Sequence, residues 1–420
     1  MTRQADLKRR VRARMARTGE SYAAARAQLL AARDRPDRDR LAGALHVTNG
    51  DVTVDLLRRA GLARDALAWA DVLHEGPVPA GLGAAGLRRV RAEFIAGADG
   101  LDPAAVRRRF EERDRALAAN RGGRYVLWFE ADLYDQLQIA QILGALGELG
   151  VAPGRVTLVC IGEYPGIAHF GGLGELEPGQ FPGLLDAATP LTAEALDLGA
   201  AAWAALRAAD PAGLGPIAAS RSRELRFLGE AFDRLSREYP STRDGLSLTE
   251  RRLLAATPDG PEGSGEPHDG PAGSGSGPWS AAAAGEPHDG PAGSGSGPWS
   301  AAAAGEPRGG APVGWASAGA VFARLGERET RPFLGDLFFF RIVARLATGR
   351  VPLLRLDPPG GQVTAGTGLR PTAAGRRVLR GEADHVALNG IDRWVGGVHL
   401  HGGTARWRWD EGTESIAAVA

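Results

Sequence analysis

Cysteine is nearly absent from this chain: 420 residues include one, Cys160. That excludes an internal disulfide framework and fits a reducing compartment, with Cys160, inside the apolar run 156–161, expected as a buried structural thiol. Lysine is equally scarce, Lys8 alone, so almost every cation is arginine. No apolar run reaches the ~20 residues that a membrane-spanning helix needs, and the basic N-terminus lacks the apolar core of a secretory signal. A cytoplasmic protein without a membrane partner is expected. Formal net charge is +0, so no global field draws the chain to nucleic acid and any such attraction has to be local. The apolar share of 44% and the charged share of 24% are those of an ordinary folded protein. The length implies two or three domains.

Residues 1–40 form a basic, polar lead-in, with two short helices expected at Leu7–Met15 and Tyr22–Leu30 around Gly19 and Ser21. It reads as a solvated tether, with nucleic-acid contact as the alternative. From Leu45 short apolar runs alternate with helical segments, the pattern of a Rossmann-like, largely parallel α/β domain over 41–165. Strands are expected at 45–49, 66–70, 124–129 and 155–161, and helices at Val52–Ala60 and Leu133–Leu146. Two arginine-rich helices are expected between Leu87 and Asn120, where Arg88, Arg89, Arg91, Arg107, Arg108, Arg109 and Arg113 are expected to face solvent, with closure over the strand ends as the alternative.

Residues 166–257 read as a helical connector that includes the first helix of a C-terminal domain, opened by a capping box of Ser247 and Glu250. In the insert 258–313 the unit Gly265–Ala284 returns unchanged as Gly285–Ala304, and so Gly/Pro/Ser-rich a stretch is expected to be disordered. Over 314–410, helices at Ala318–Leu325 and Asp336–Ala347, extended pieces at 353–356 and 368–371, and a helix at Thr372–Arg380 follow the order of a winged helix. A terminal β-hairpin is expected, running from Leu388 to His401 and back through Arg406–Asp410, with His399 and His401 on one face. Residues 411–420 are left as a tail.

The residues suited to chemistry concentrate where three apolar runs break into polar ones: His46–Asp51, Trp69–Pro77 and Trp128–Gln136. In a parallel sheet such strand ends converge on one edge, where ligands sit. His46, Asn49, Asp51, Asp71, Tyr134, Asp135 and Gln136 are the expected ligand-binding residues. Asp51, Glu130 and Asp132 are the expected oxygen ligands of a Mg²⁺ or Mn²⁺ ion. Asp51 and Asp132 also suit helix caps. His74, Glu75 and Glu130 are the expected catalytic groups, with His74 on a loop as general acid-base. The turn at Asn49–Gly50 carries neither a GxGxxG nor a P-loop pattern, and no Ser-His-Asp or Cys-His arrangement is legible.

Four segments carry a family resemblance: His46-Val-Thr-Asn-Gly-Asp51, Trp69-Ala-Asp-Val-Leu-His-Glu-Gly-Pro-Val78, Leu127-Trp-Phe-Glu-Ala-Asp-Leu-Tyr-Asp-Gln-Leu-Gln138 and Leu388-Asn-Gly-Ile-Asp-Arg-Trp-Val-Gly-Gly-Val-His-Leu400. Over about 42–257 and 314–410 the chain resembles bacterial proteins carrying domain of unknown function 1835. The resemblance implies no activity. Ala131 departs from it, standing where it leads one to expect histidine, so any catalysis by that side chain is lost here. Two classes of function remain. In the preferred one the α/β domain binds a phosphorylated or nucleotide-type ligand at its acidic strand ends, with metal-assisted phosphodiester hydrolysis as the enzymatic form. In the other, the chain is a non-enzymatic regulatory protein whose winged-helix-like half and basic N-terminus contact nucleic acid or a protein. The helix Asp336–Ala347 is too apolar for a typical major-groove reader.

Overall fold

The computed structural model describes residues 41, 43–167, 170–258 and 314–419, with isolated positions 8, 11, 12, 15 and 22. Apart from those positions, the expected helices at 7–15 and 22–30 lie outside the described residues, as does the repeat insert beyond Pro258.

Four strands pair in parallel: β1 (Leu45–Thr48), β2 (Asp65–Ala68), β3 (Tyr125–Glu130) and β4 (Val156–Ile161). The short β5 (Thr189–Pro190) closes the sheet antiparallel, in the order β2-β1-β3-β4-β5. β3 is apolar from Tyr125 to Phe129 because both its faces are covered. Tyr125, Leu127 and Phe129 enter one apolar cluster, and Val126 and Trp128 enter the other. Helix α1 (Asp51–Arg59) packs on the second face through Leu56 and Leu57. The arginine-rich insert folds as two helices, α2 (Ala84–Asp99) and α3 (Pro103–Ala119), the latter capped by Asp102.

The first face is covered by α4 (Leu133–Glu148) and α5 (Ala193–Arg207). These helices approach closely at Gly144, where a Cβ would lie 2.5 Å from the Trp203 ring. The same apolar cluster continues through α6 (Leu228–Ser236) and α7 (Leu248–Ala256), whose capping box of Ser247 and Glu250 forms as the sequence implies. Beyond the insert come α8 (Ala318–Glu327) and α9 (Asp336–Thr348). A three-stranded antiparallel sheet joins β6 (Ala316–Ser317), β8 (Gly368–Pro371) and β7 (Leu354–Asp357), followed by α10 (Ala373–Leu379) and α11 (His385–Asn389).

The chain ends in two hairpins where the sequence suggested one. β9 (Ile391–Val395) pairs with β10 (Val398–Gly402) through a tight Gly396-Gly397 turn. Trp407–Asp410 (β11) pairs instead with Ser415–Ala418 (β12), the segment expected as a tail. The Gly-Gly pair at 396–397 turns the chain within two residues, so β10 already has its partner and β11 must find another. His399 and His401 do share an exposed face. Among the described residues no helix is long and apolar enough to cross a membrane.

Candidate functional site

β3 ends at Glu130 and α4 begins at Leu133, so the connection is short and its carboxylates are forced together. Asp132 caps α4, accepting the Asp135 N–H at 3.0 Å. Asp135, in the first turn where the helix dipole favours a negative charge, accepts the Glu130 N–H at 2.5 Å. Asn49, at the end of β1, donates its Nδ2 to Glu130 Oε2 and to Asp135 Oδ1, each at 3.2 Å. The Leu173 N–H reaches Glu130 Oε1 at 2.5 Å. That closure requires glycine at 172, where φ is +149° and a Cβ would stand 2.9 Å from Glu130 Oε2.

One oxygen from each of Glu130, Asp132 and Asp135 lies within 4.8 Å of the others, and all three residues are buried. Burial pushes the carboxyls of Glu130 and Asp132 above the usual range, with Asp132 adding to the effect on Glu130. Burial, then Glu130 and Asp132, raises Asp135 further. Three carboxylates this close do not all ionise unaided: they keep protons, or a cation replaces them. The adjoining cleft, bounded by Gly171, Gly172 and Arg331, holds about 30 Å³. That is room for an ion or one or two waters. An all-oxygen donor set of this kind fits Mg²⁺ or Mn²⁺.

Asp51 is not part of this group. Gly50, not Asp51, occupies the cap position of α1, and the Asp51 carboxylate is turned outward, half exposed, onto Arg109 of α3. Asp135 takes the place among the acids that the sequence assigned to Asp51. The strand ends do share one edge of the sheet, but their carboxylates do not surround one pocket.

Asp71 illustrates the separation. It is 1% exposed and receives Arg91 Nε at 3.0 Å and Nη2 at 2.9 Å. Arg91 also ties the loop down, donating to the carbonyls of Val72 and Glu75 at 2.7 Å each. Arg113 stacks 4.0 Å over Trp69, donates to the Trp69 carbonyl and lies 4.0 Å from Asp71 Oδ2, which has no hydrogen-bond partner among the described residues. These groups border a pocket of about 430 Å³ between α2, α3, α4 and α5. Its floor is apolar, with Leu82, Leu87, Leu117 and Trp203, and Arg88, Arg91, Arg113 and Arg207 oppose Asp71, Asp114 and Glu148.

The histidines read differently from expectation. His46 accepts the Trp128 Nε1–H at Nδ1, 2.9 Å, and its Nε2 meets the Leu41 carbonyl at 3.0 Å. Both nitrogens are spent inside the core and burial lowers its pKa, so His46 is structural and not ligand-binding. His74 is no loop base. It is buried edge-on among Tyr134, Phe333 and Phe338, neither ring nitrogen has a hydrogen-bond partner among the described residues, and burial with Arg91 and Arg234 nearby lowers its pKa to about 3. A group so far below neutrality makes a poor general base. Tyr134 is tied up in the same aromatic contact, and burial raises its pKa.

Glu75 does not join Glu130. It faces the C-terminal half, where burial raises its pKa against the pull of Arg345 and Arg393. Gln136 binds the Glu130 carbonyl at 2.7 Å and the Cys160 sulfur at 3.4 Å, supporting the acids from behind. Cys160 is buried, as the sequence implied, and burial raises its pKa.

Trp203, Arg207 and Arg345 were not singled out in the sequence, and Arg393, expected to pair locally with Asp392, meets Glu250 at 3.4 Å instead while Asp392 pairs with His399. The arginine-rich insert, expected to face solvent, instead turns Arg88, Arg91 and Arg113 onto the pocket. No family model matches this chain, and no curated protein matches it.

Proposed function

We propose that the α/β domain binds a small anionic ligand of the phosphorylated or nucleotide type in the pocket beside β2. The observation that carries this is the 430 Å³ space with an apolar floor and four arginines against three carboxylates. Its size and polarity suit a flat organic body with one anionic group, and guanidinium forks suit phosphate oxygens. Arg88, paired with Asp114 at 2.8 Å and partly exposed, is the arginine best able to turn toward a ligand. A thermal-shift panel of nucleoside mono-, di- and triphosphates tests this. At least one should raise the Tm of the full chain, and Arg88→Gln should lose that rise. A flat response across the panel would overturn it.

A second reading, favoured by the buried Glu130–Asp132–Asp135 group, is a divalent cation at the ends of β3 and α4. Metal-assisted phosphodiester hydrolysis is its enzymatic form, with the cation held by those three oxygens and Arg331 facing the incoming anion. Mn²⁺ should raise the Tm of the wild type and leave Glu130→Gln unmoved. The two readings are separable because the acids lie between the end of β3 and the first turn of α4, whereas the pocket is lined by Gln141, Ala145 and Glu148 further along that helix. The similarity to proteins carrying domain of unknown function 1835 rests on the four motifs and adds no activity. Assignment of 246–380 as winged-helix-like rests on element order, and a nucleic-acid role there remains the alternative.

A further inference from the structure

A second large cavity, about 410 Å³, opens among α7, α9, α11 and the β9–β10 hairpin and shares no lining residue with the pocket beside β2. Asn389 sets its chemistry. The Val351 N–H donates to Asn389 Oδ1 at 2.7 Å, and Asn389 Nδ2 donates back to the Val351 carbonyl at 3.1 Å. The amide is thereby oriented, and its Nδ2 faces His385 Nδ1 at 3.2 Å. An amide N–H only donates, so Nδ1 accepts and the ring proton sits on Nε2. Burial keeps this ring below the ordinary histidine range and therefore neutral. The Nε2–H makes no hydrogen bond to protein among the described residues, and His385 borders the cavity.

Two guanidiniums converge on the same space. Glu250 meets Arg345 at 3.1 Å and Arg393 at 3.4 Å through a single oxygen. Its other oxygen accepts the Ser247 N–H at 2.9 Å. Burial would raise the Glu250 carboxyl, but Arg393, Arg345 and the neighbouring dipoles hold it far below its usual range, so it is ionised. Glu250 thus takes one contact from each of two cations that offer five N–H donors each. Glu75 and Glu238 lie within electrostatic reach of the same guanidiniums, but burial raises the Glu75 carboxyl and Glu238 is already bonded to Arg234 and Thr249. Arg345 gives Glu250 one hydrogen bond, Arg393 donates from Nη2 to the Glu238 carbonyl, and the buried Arg393 Nε has no partner among the described residues. Asp392 does not make up the difference, being exposed and paired with His399 at 2.7 Å. Donors therefore outnumber acceptors, and they come from three elements, α9, β9 and α11. A planar carboxylate presents two oxygens, whereas a phosphate presents three in a tetrahedral arrangement.

We propose that this cavity is a separate binding site for a small phosphorylated molecule, with Arg345, Arg393 and the Nε2–H of His385 taking the phosphate and the remaining volume taking a compact organic body. Asn389 is a positioning residue: it fixes the tautomer that lets His385 donate.

The test is a titration of the full-length chain with inorganic phosphate, read as Tm, against sodium chloride at matched ionic strength. The Tm should rise and saturate with phosphate and not with chloride. Arg345→Gln should weaken the apparent affinity about tenfold or more, as expected for loss of a charged bidentate donor. His385→Leu should also lose the response, while His385→Gln, whose amide donates from a similar position, should keep it. Arg88→Gln, in the other pocket, should keep the part of the response that depends on Arg345 and His385. Loss of the whole response in Arg88→Gln would move the phosphate to the pocket beside β2 and overturn the assignment. So would a wild type that responds equally to chloride, or an undiminished response in Arg345→Gln and His385→Leu together.

Discussion

Asn49 and Asp135 come from two different strand-to-helix connections and meet at 3.2 Å, the amide of one donating to the carboxyl of the other while also reaching Glu130. A neutral donor thus stands between two buried carboxyls that would otherwise confront each other. Nothing in the spacing of the chain pairs them. The parallel pairing of β1 with β3 does.

Replacing that donor should be costly. Asn49→Ala leaves Glu130 and Asp135 each short of a hydrogen bond in a buried setting, which is expected to cost about 1–3 kcal/mol. The measurement is urea denaturation, with a lower midpoint at unchanged m. A midpoint equal to that of the wild type would show that Asn49 does not hold the acids.

The acid group also predicts a pH dependence. Burial holds Glu130, Asp132 and Asp135 above the ordinary carboxyl range, so the folded chain keeps protons that the unfolded chain releases near pH ~4. Stability from this source is complete below that pH and is lost as pH rises through the raised folded values. Asp135→Asn should flatten the decline between about pH 4 and neutrality, as read by Tm across that range. An unchanged slope would count against protonated acids at this position.

His74 works in the opposite direction. Its folded pKa is depressed, so it contributes stability above the unfolded value of about 6.5 that disappears as pH falls toward its folded value of about 3. His74→Phe should remove this acid sensitivity. It should also raise stability at pH 7 by about 1–3 kcal/mol, because two unpartnered nitrogens leave an aromatic box. Greater acid sensitivity in the variant would place a hidden partner on the ring.

Arg91 and Asp71 are each 1% exposed in their ion pair. Removing one partner alone strands the other, and Asp71→Asn or Arg91→Met is expected to cost about 3–5 kcal/mol. The double change to Leu and Met should cost less than the sum of the single changes. Equal additivity in a double-mutant cycle would mean that the pair is not coupled.

The sheet was legible in the sequence because a strand buried on both faces has to be apolar at nearly every position, as in Tyr125–Phe129, and because Leu133, Leu137, Ala140 and Leu143 repeat at helical spacing. The same local logic found Ser247 and Glu250. It failed at the C-terminal hairpins, where a Gly-Gly turn at 396–397 outweighed the longer reach toward Trp407.

It also failed to sort the acids. Alternation says that a residue lies at a strand end, but not whether its carboxylate turns inward like Asp135 or outward to an arginine like Asp51. Chain order and hydrophobic period determined the α/β class, the edge that gathers polar residues and the single buried thiol. Only the tertiary structure decided which groups share a space, since charge pairing, burial and tautomer depend on neighbours far away in sequence. Asp71 with Arg91, His74 among three aromatic rings, and Arg345 with Arg393 around one glutamate exist as sites only once the chain is packed.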